Sequence, residues 1–352
     1  MVRLVMLLLS CLCLNALAEQ HIDAYRIEAA VADQSESART AAARATFGDV
    51  IVRVSGDSAA AQHPLVREAI SNAPNYLLQF SYAADRNKED AAKSGLKLIL
   101  NYSAPAIEIL LRQAQLSIWP GDRPLVLVWL VSSESGSFRK AVDEPEWQLA
   151  QVRAEVRGLP LLVAKWDAED TQLISEQEVA NLDIGKLKLA SQRYKPDAIL
   201  VGRYSRSGGN WKVSWDLWQG NTATHFDSPA DSKSPRLGTL LANGVDQVAN
   251  HFAQVYAIKS GQQDAPVQIR IDNISDFTAF KEAQLYLKSL PMIRRSELLS
   301  VEKNQLLFGL TLEGDTALLK STLALGAKLQ LDETAIDPEK PQPLLFHWKM
   351  EE

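Results

Sequence analysis

The chain has 352 residues, 46% of them hydrophobic and 23% charged, with a formal net charge of -6 and two cysteines. That length predicts two or three domains with sizeable cores, and the apolar content, with 17 Gly and 15 Pro, argues against a disordered or fibrous chain. A pI near 5.5 without a dense Lys/Arg tract argues against general nucleic-acid binding, which draws its affinity from phosphate neutralisation.

The first 18 residues read as a cleavable signal peptide. Arg3 precedes an apolar stretch from Leu4 to Leu14, too short to span a bilayer, and Ala16-Leu17-Ala18 is the small-x-small pattern of a cleavage site. Cleavage after Ala18 predicts an exported, periplasmic chain starting at Glu19 and with no transmembrane segment. The alternative is an outer-membrane lipoprotein, because Leu8-Leu9-Ser10-Cys11 is similar to a lipidation signal that would anchor the chain through Cys11. Both cysteines, Cys11 and Cys13, lie in this leader. The expected mature chain is therefore free of cysteine, which excludes disulfides, thiolate nucleophiles and cysteine metal sites.

Residues 19–121 predict an N-terminal α+β module. Tyr25, Ile27, Ala29 and Val31 alternate as a strand; Ser35 offers an N-cap to a helix carrying Ala43, Phe47, Val50, Ile51 and Val54 and ended by Gly56. Two alternating strands follow, through Tyr76, Leu78, Phe80 and Tyr82 and through Leu96, Leu98, Leu100 and Tyr102. A helix then opens at Pro105 and a last strand is expected near 119, giving the βαββαβ order of a ferredoxin-like unit.

Residues 122–258 predict a central α/β domain. The apolar runs Leu125 to Val131, Leu159 to Ala164 and Ala198 to Val201 suit strands buried on both faces of a mostly parallel sheet. Arg157-Gly158 closes the helix between the first two. After Gly202 an antiparallel meander runs through Trp211 to Trp218 and turns at Gly220-Asn221, and a helix carries Leu237, Leu240, Leu241, Val245, Val248, Phe252 and Val255. Ser260 to Asp264 reads as a linker. Residues 265–335 repeat the first order as a second ferredoxin-like βαββαβ module, with two strands meeting at Lys303-Asn304. Residues 336–352 form a proline-rich connector and a tail, Leu344 to Trp348, read as a last strand on the edge of its own sheet or as a partner-docking peptide.

Tyr25-Arg26-Ile27, Ser37-Ala38-Arg39 with Val50 to Gly56, Arg123-Pro124 with Leu125 to Trp129, Gly158-Leu159-Pro160 and Tyr194 to Gly202 together resemble the exported gammaproteobacterial family of domain-of-unknown-function 2066. The resemblance spans most of the mature chain and implies export, with no assigned activity. Asp197 to Gly202 with the meander and final helix is also similar to α/β binding modules of some envelope accessory proteins, a likeness of fold that assigns no residue roles.

Catalytic patterns are absent: the sequence holds no GxSxG, HExxH, Walker or GxGxxG motif, and no cofactor is implied. His21, His63, His225, His251 and His347 are scattered singly. The one acidic cluster, Asp167, Glu169 and Asp170, follows an apolar strand at the place where open α/β sheets bind ligands, and carboxylates there suit Mg²⁺ or Ca²⁺; a solvated loop whose Glu169 or Asp170 caps the next helix is the competing reading. Trp211, Trp215 and Trp218 are candidate ligand or partner contacts, with the first two on one strand face and the third on the other. Arg203 with Arg206 and Arg294 with Arg295 are basic spots of the kind found on solvated faces. The reading is a non-catalytic binding or accessory protein of the cell envelope with a protein or glycan partner. Its alternative is a carboxylate-dependent, metal-assisted hydrolase acting on an envelope component.

Overall fold

The computed structural model describes residues 22–85, 95–134, 136–207, 209–227, 236–259, 264–326, 328–332 and 343–349. The expected leader, its cleavage site and Cys11 lie outside these residues, as do most of the Ser260 to Asp264 linker and of the proline-rich connector. The fold is mixed α and β, with three separate sheets.

The first sheet is antiparallel in the order β1-β3-β2, from β1 (Arg26–Val31), β2 (Leu77–Asp85) and β3 (Gly95–Tyr102). Helix α1 (Glu36–Ser55) starts where Ser35 Oγ accepts from Ala38 N and stops where Gly56 turns left-handed at φ 71°. A short α2 (Pro64–Ser71) precedes β2. Helices α1 and α3 (Ala104–Gln113) cover the face of Leu98, Leu100 and Tyr102, with Phe47 and Tyr102 rings 5.2 Å apart. Leu78 does not join the alternation expected of it. A bulge between Leu77 and Gln79 resets the register and leaves Leu78 72% exposed. The fourth strand of a ferredoxin-like unit is also not formed among the described residues. Ile118 makes a single bridge with Ile258, because the next residue is already committed elsewhere: Trp119 N donates to Val54 O at 2.7 Å.

The central sheet has the order β5-β4-β7-β8-β9, built from β4 (Val126–Glu134), β5 (Ser137–Lys140), β7 (Ala198–Ser207), β8 (Asn210–Gln219) and β9 (Thr222–Asp227). The short β6 (Leu161–Val163) shares the outer edge of β4 with β5. Parallel pairing is confined to β4, β6 and β7; β5, β8 and β9 are antiparallel, so the sheet is mixed rather than mostly parallel. The apolar run in β4 splits as a doubly covered strand requires. Val126, Val128 and Leu130 face α4 (Pro145–Arg157) and α8 (Leu237–Tyr256), while Leu127, Trp129 and Val131 face the layer of α5 (Ala168–Leu173), α6 (Glu176–Ala180) and α7 (Ile184–Ser191).

The third sheet has the order β11-β12-β10-β14-β13, with β10 (Asp264–Asp272), β11 (Ile293–Glu302), β12 (Gln305–Glu313), β13 (Leu329–Leu331) and β14 (Leu344–Trp348). Helices α9 (Phe277–Ser289) and α10 (Thr316–Leu325) cover one face. The tail does return to its own sheet, but to an interior place. Strand β14 lies parallel to β10 and antiparallel to β13, so the ferredoxin-like order is interrupted between its first and last strands. The reason is apolar: Phe346 and Trp348 are buried and join a core that runs without a break from the first sheet to the third.

Two local arrangements fix how the layers meet. Trp215 on β8 is fully buried between two glycines: a Cβ on Gly202 would meet its ring at 2.4 Å, and a Cβ on Gly244 of α8 would meet Nε1 at 1.8 Å. Arg123, also buried, gives its whole guanidinium to backbone carbonyls. Nε donates to Pro120 O (2.9 Å), Nη1 to Arg157 O and Gly158 O (2.8 and 2.9 Å), and Nη2 to Arg53 O and Trp119 O (2.8 and 3.1 Å), with the Trp119 ring 3.8 Å from the guanidinium carbon. Burial, then the nearby charges of Arg53 and Arg157, pushes its pKa down to about 9.

Replacing Arg123 by Met leaves these carbonyls unpaired and is expected to destabilise the chain by about 3–5 kcal/mol in urea unfolding; a loss under about 1 kcal/mol would show that the junction does not depend on the guanidinium. Gly244→Ala is expected to cost about 1–3 kcal/mol by overpacking against Trp215, and Trp215→Phe in the same chain to return part of that loss.

Candidate functional site

The acidic trio is an ion-paired helix start. Asp167 is the N-cap of α5 and accepts from Asp170 N at 3.2 Å. Arg193, just after α7, closes on it with a fork: Nη1 and Nη2 donate to the two Asp167 oxygens at 2.7 and 2.8 Å, and Nη1 also lies 3.2 Å from Asp170 Oδ1 and from Glu169 Oε2. Asp170 is buried, and its Oδ2 accepts from Trp166 N (2.8 Å) and Tyr194 Oη (2.6 Å). The Arg193 guanidinium holds the Asp167 carboxyl well below the usual carboxylate range, while burial followed by the bond to Asp170 pushes the Tyr194 hydroxyl up to about 12. The carboxylates expected to hold a metal meet a cation of the protein's own here. One cation already occupies the space the carboxylates share, and among the described residues no group of three or more His, Cys, Asp or Glu is placed to hold a metal ion.

The three tryptophans do not converge. Trp215 is core. Trp211 packs against the same core, edge-on to Tyr204 at 5.9 Å, with Arg206 over its ring at 5.4 Å. Trp218 points to the opposite face and packs against the α5 to α7 layer.

The arrangement with most to offer a ligand lies instead on the upper part of that opposite face, beyond α6, near the carboxyl ends of the parallel strands β4 and β7. There a hollow of 640 Å³ is lined by Val131, Ser133, Phe138, Ala180, Arg203, Ser205, Lys212, Ser214 and Asp227, together with Tyr204, Trp211 and Val213. Strand alternation makes its floor polar, since residues 213, 215 and 217 of β8 go to the α8 core while 212 and 214 come to the hollow, with 216 on the same strand face. A row of charges crosses the sheet beneath it. Arg203 Nη2 donates to Asp216 Oδ2 at 2.6 Å, and Nη1 to the carbonyl of Ala180, the last residue of α6, at 3.2 Å. His225 on β9 sits 2.8 Å from Asp216 Oδ1 through Nδ1 and 3.3 Å from Asp227 Oδ1 through Nε2, and the bond to Asp216 raises its pKa. His347 is held in a similar way between Asp272 and Asp332 on the third sheet. Sequence spacing marks neither histidine, because Asp216 and Asp272 come from neighbouring strands and only Asp227, two residues along β9 from His225, is near in sequence; the one signal for the hollow is the polar alternation of β8.

The family model of DUF8605, a domain of unknown function, matches residues 18–120. This is a different family from the one the sequence resembles. No curated protein matches the chain. A solved structure titled "Crystal structure of uncharacterized protein" is similar over 38% of this chain and 91% of its own, with 11% sequence identity and a TM-score of 0.17. Among the described residues no helix is long and apolar enough to cross a membrane.

Two pH effects follow. A depressed carboxylate contributes stability above its ordinary value of 3.8 and loses it as pH falls. Arg193→Gln is therefore expected to raise the acid-unfolding midpoint, followed by circular dichroism, and Mg²⁺ or Ca²⁺ to leave wild-type melting unchanged. A raised histidine contributes fully below its ordinary 6.5 and loses the contribution as pH climbs through the folded value. His225→Gln should flatten the decline in stability just above pH 6.5, and an identical pH profile in both chains would show that the row does not hold His225 as a cation.

Proposed function

We propose that this chain is a non-catalytic binding or accessory protein of the cell envelope, exported through its first 18 residues, with the hollow on the central sheet as its binding place. One observation carries the reading: the hollow sits where open α/β sheets take ligands, yet the histidine beside it has both ring nitrogens on carboxylates, which leaves none to take a proton from a nucleophile. The charged leader supports export, as does the likeness to the exported domain-of-unknown-function 2066 proteins; the DUF8605 match beginning at residue 18, where the leader is expected to end, is consistent with it. The partner in this reading is an envelope protein or glycan.

Mass spectrometry of the chain recovered from a fractionated envelope should give Glu19 as the first residue, whereas a lipid on Cys11 would replace soluble export by anchoring. A photocrosslinker at Ser205 is expected to capture an envelope component that the same probe at Gln268, on the third sheet, does not. No capture at Ser205, or equal capture at both places, rejects the hollow as the binding place.

A further inference from the structure

Resting on the reading that this hollow binds a ligand, we infer that its ligand is a neutral, hydroxyl-rich saccharide segment. The charges select against a small ion. Arg203 is held by Asp216 at 2.6 Å and by the Ala180 carbonyl, and Asp227 lies 3.3 Å from His225 Nε2. An anion would have to compete with the Asp216 carboxylate for Arg203 and would meet its repulsion, while Arg203 Nε, which has no hydrogen-bond partner, stays available to a neutral oxygen acceptor. Lys212, exposed, is the cation that an acidic ligand would use instead, and it shares the lining of the hollow with the exposed Asp227.

Besides the Arg203 Nε–H, what the row of charges leaves to a ligand is hydroxyl. Ser133 and Ser205 face each other across the parallel β4–β7 pair, and Ser214 comes from the next strand, opposite Arg203. Among the described residues none of the three hydroxyls is engaged by another group, and each can both donate and accept. Neighbouring strands lie about 4.8 Å apart, comparable to the separation of non-adjacent hydroxyls on a pyranose ring. Beside these hydroxyls Val131, Phe138 and Ala180 form an apolar wall suited to the C–H face of a sugar. The volume of 640 Å³ falls within the roughly 300–1,000 Å³ of small-ligand sites and leaves room for more than one ring.

Calorimetric titration of the full chain with maltotriose and with tri-N-acetylchitotriose, and separately with inorganic phosphate and acetate, tests this. At least one saccharide is expected to give saturable heat, and the double variant Ser205→Val with Ser214→Val to weaken it by about tenfold to a hundredfold. Valine suits a strand surface, and unchanged melting of that variant would show that the loss is one of contacts. Saturable binding of phosphate or acetate alone, lost in Lys212→Ala, would overturn the saccharide assignment while leaving the hollow a binding site. Binding of neither class would overturn it too, and the crosslink from Ser205 would then decide separately whether the hollow binds anything.

Discussion

A guanidinium with no carboxylate for a partner holds the centre of this molecule. Arg123 stands in the segment between the first and second sheets and draws its acceptors from the end of α1, from the end of α4 and from its own approach segment. The carbonyls at helix C-termini carry partial negative charge, so a buried cation is stabilised there without burying an anion as well. Arg157, one residue before Gly158, extends the arrangement: it donates to Gly56 O at 2.7 Å, to Asn250 Oδ1 at 2.7 Å and to Asp246 Oδ1 at 2.5 Å. Three helices from two sheets thus meet on two arginines. The same commitment explains why the first unit lacks its fourth strand, since the chain from Trp119 to Arg123 turns into the junction instead of running along β1.

Much of the fold is legible in the sequence where one local rule acts alone. Ser35 and Gly56 bracket α1 as capping chemistry predicts, Gly158 closes α4 at φ 61°, and the apolar run of β4 is divided between two cores. The acidic loop after β6 was ambiguous for a clear reason: a metal and an arginine satisfy the same carboxylates, and Arg193 stands more than 20 residues away. The role of Arg123 was invisible because carbonyl acceptors carry no residue identity. Parity alone placed Trp211 and Trp215 on one face and Trp218 on the other, but only the approach of Gly202 and Gly244 shows that Trp215 is enclosed.

The candidate site illustrates a general difficulty of reading strands. A face that alternates Lys212, Ser214 and Asp216 looks like ordinary solvated surface, and most such faces are. What distinguishes this one is tertiary. The layer of α5 to α7 stops short of the strand ends, the end of α6 supplies a carbonyl to Arg203, and Phe138 from the outer strand β5 raises a wall. None of these neighbours is close in sequence to the floor they border.

The place of β14 bears on the order in which the chain can mature. The strand that joins β13 to β10 is residues 344–348, so the third sheet has an open seam until those residues emerge from synthesis, with Ile269 and Ile271 of β10 already made and waiting. Pairings this distant in sequence form slowly compared with local hairpins. Because the core beneath that sheet is continuous with the core of the first, Phe346 and Trp348 complete a packing that already includes side chains of β3 and α1, far upstream in the chain.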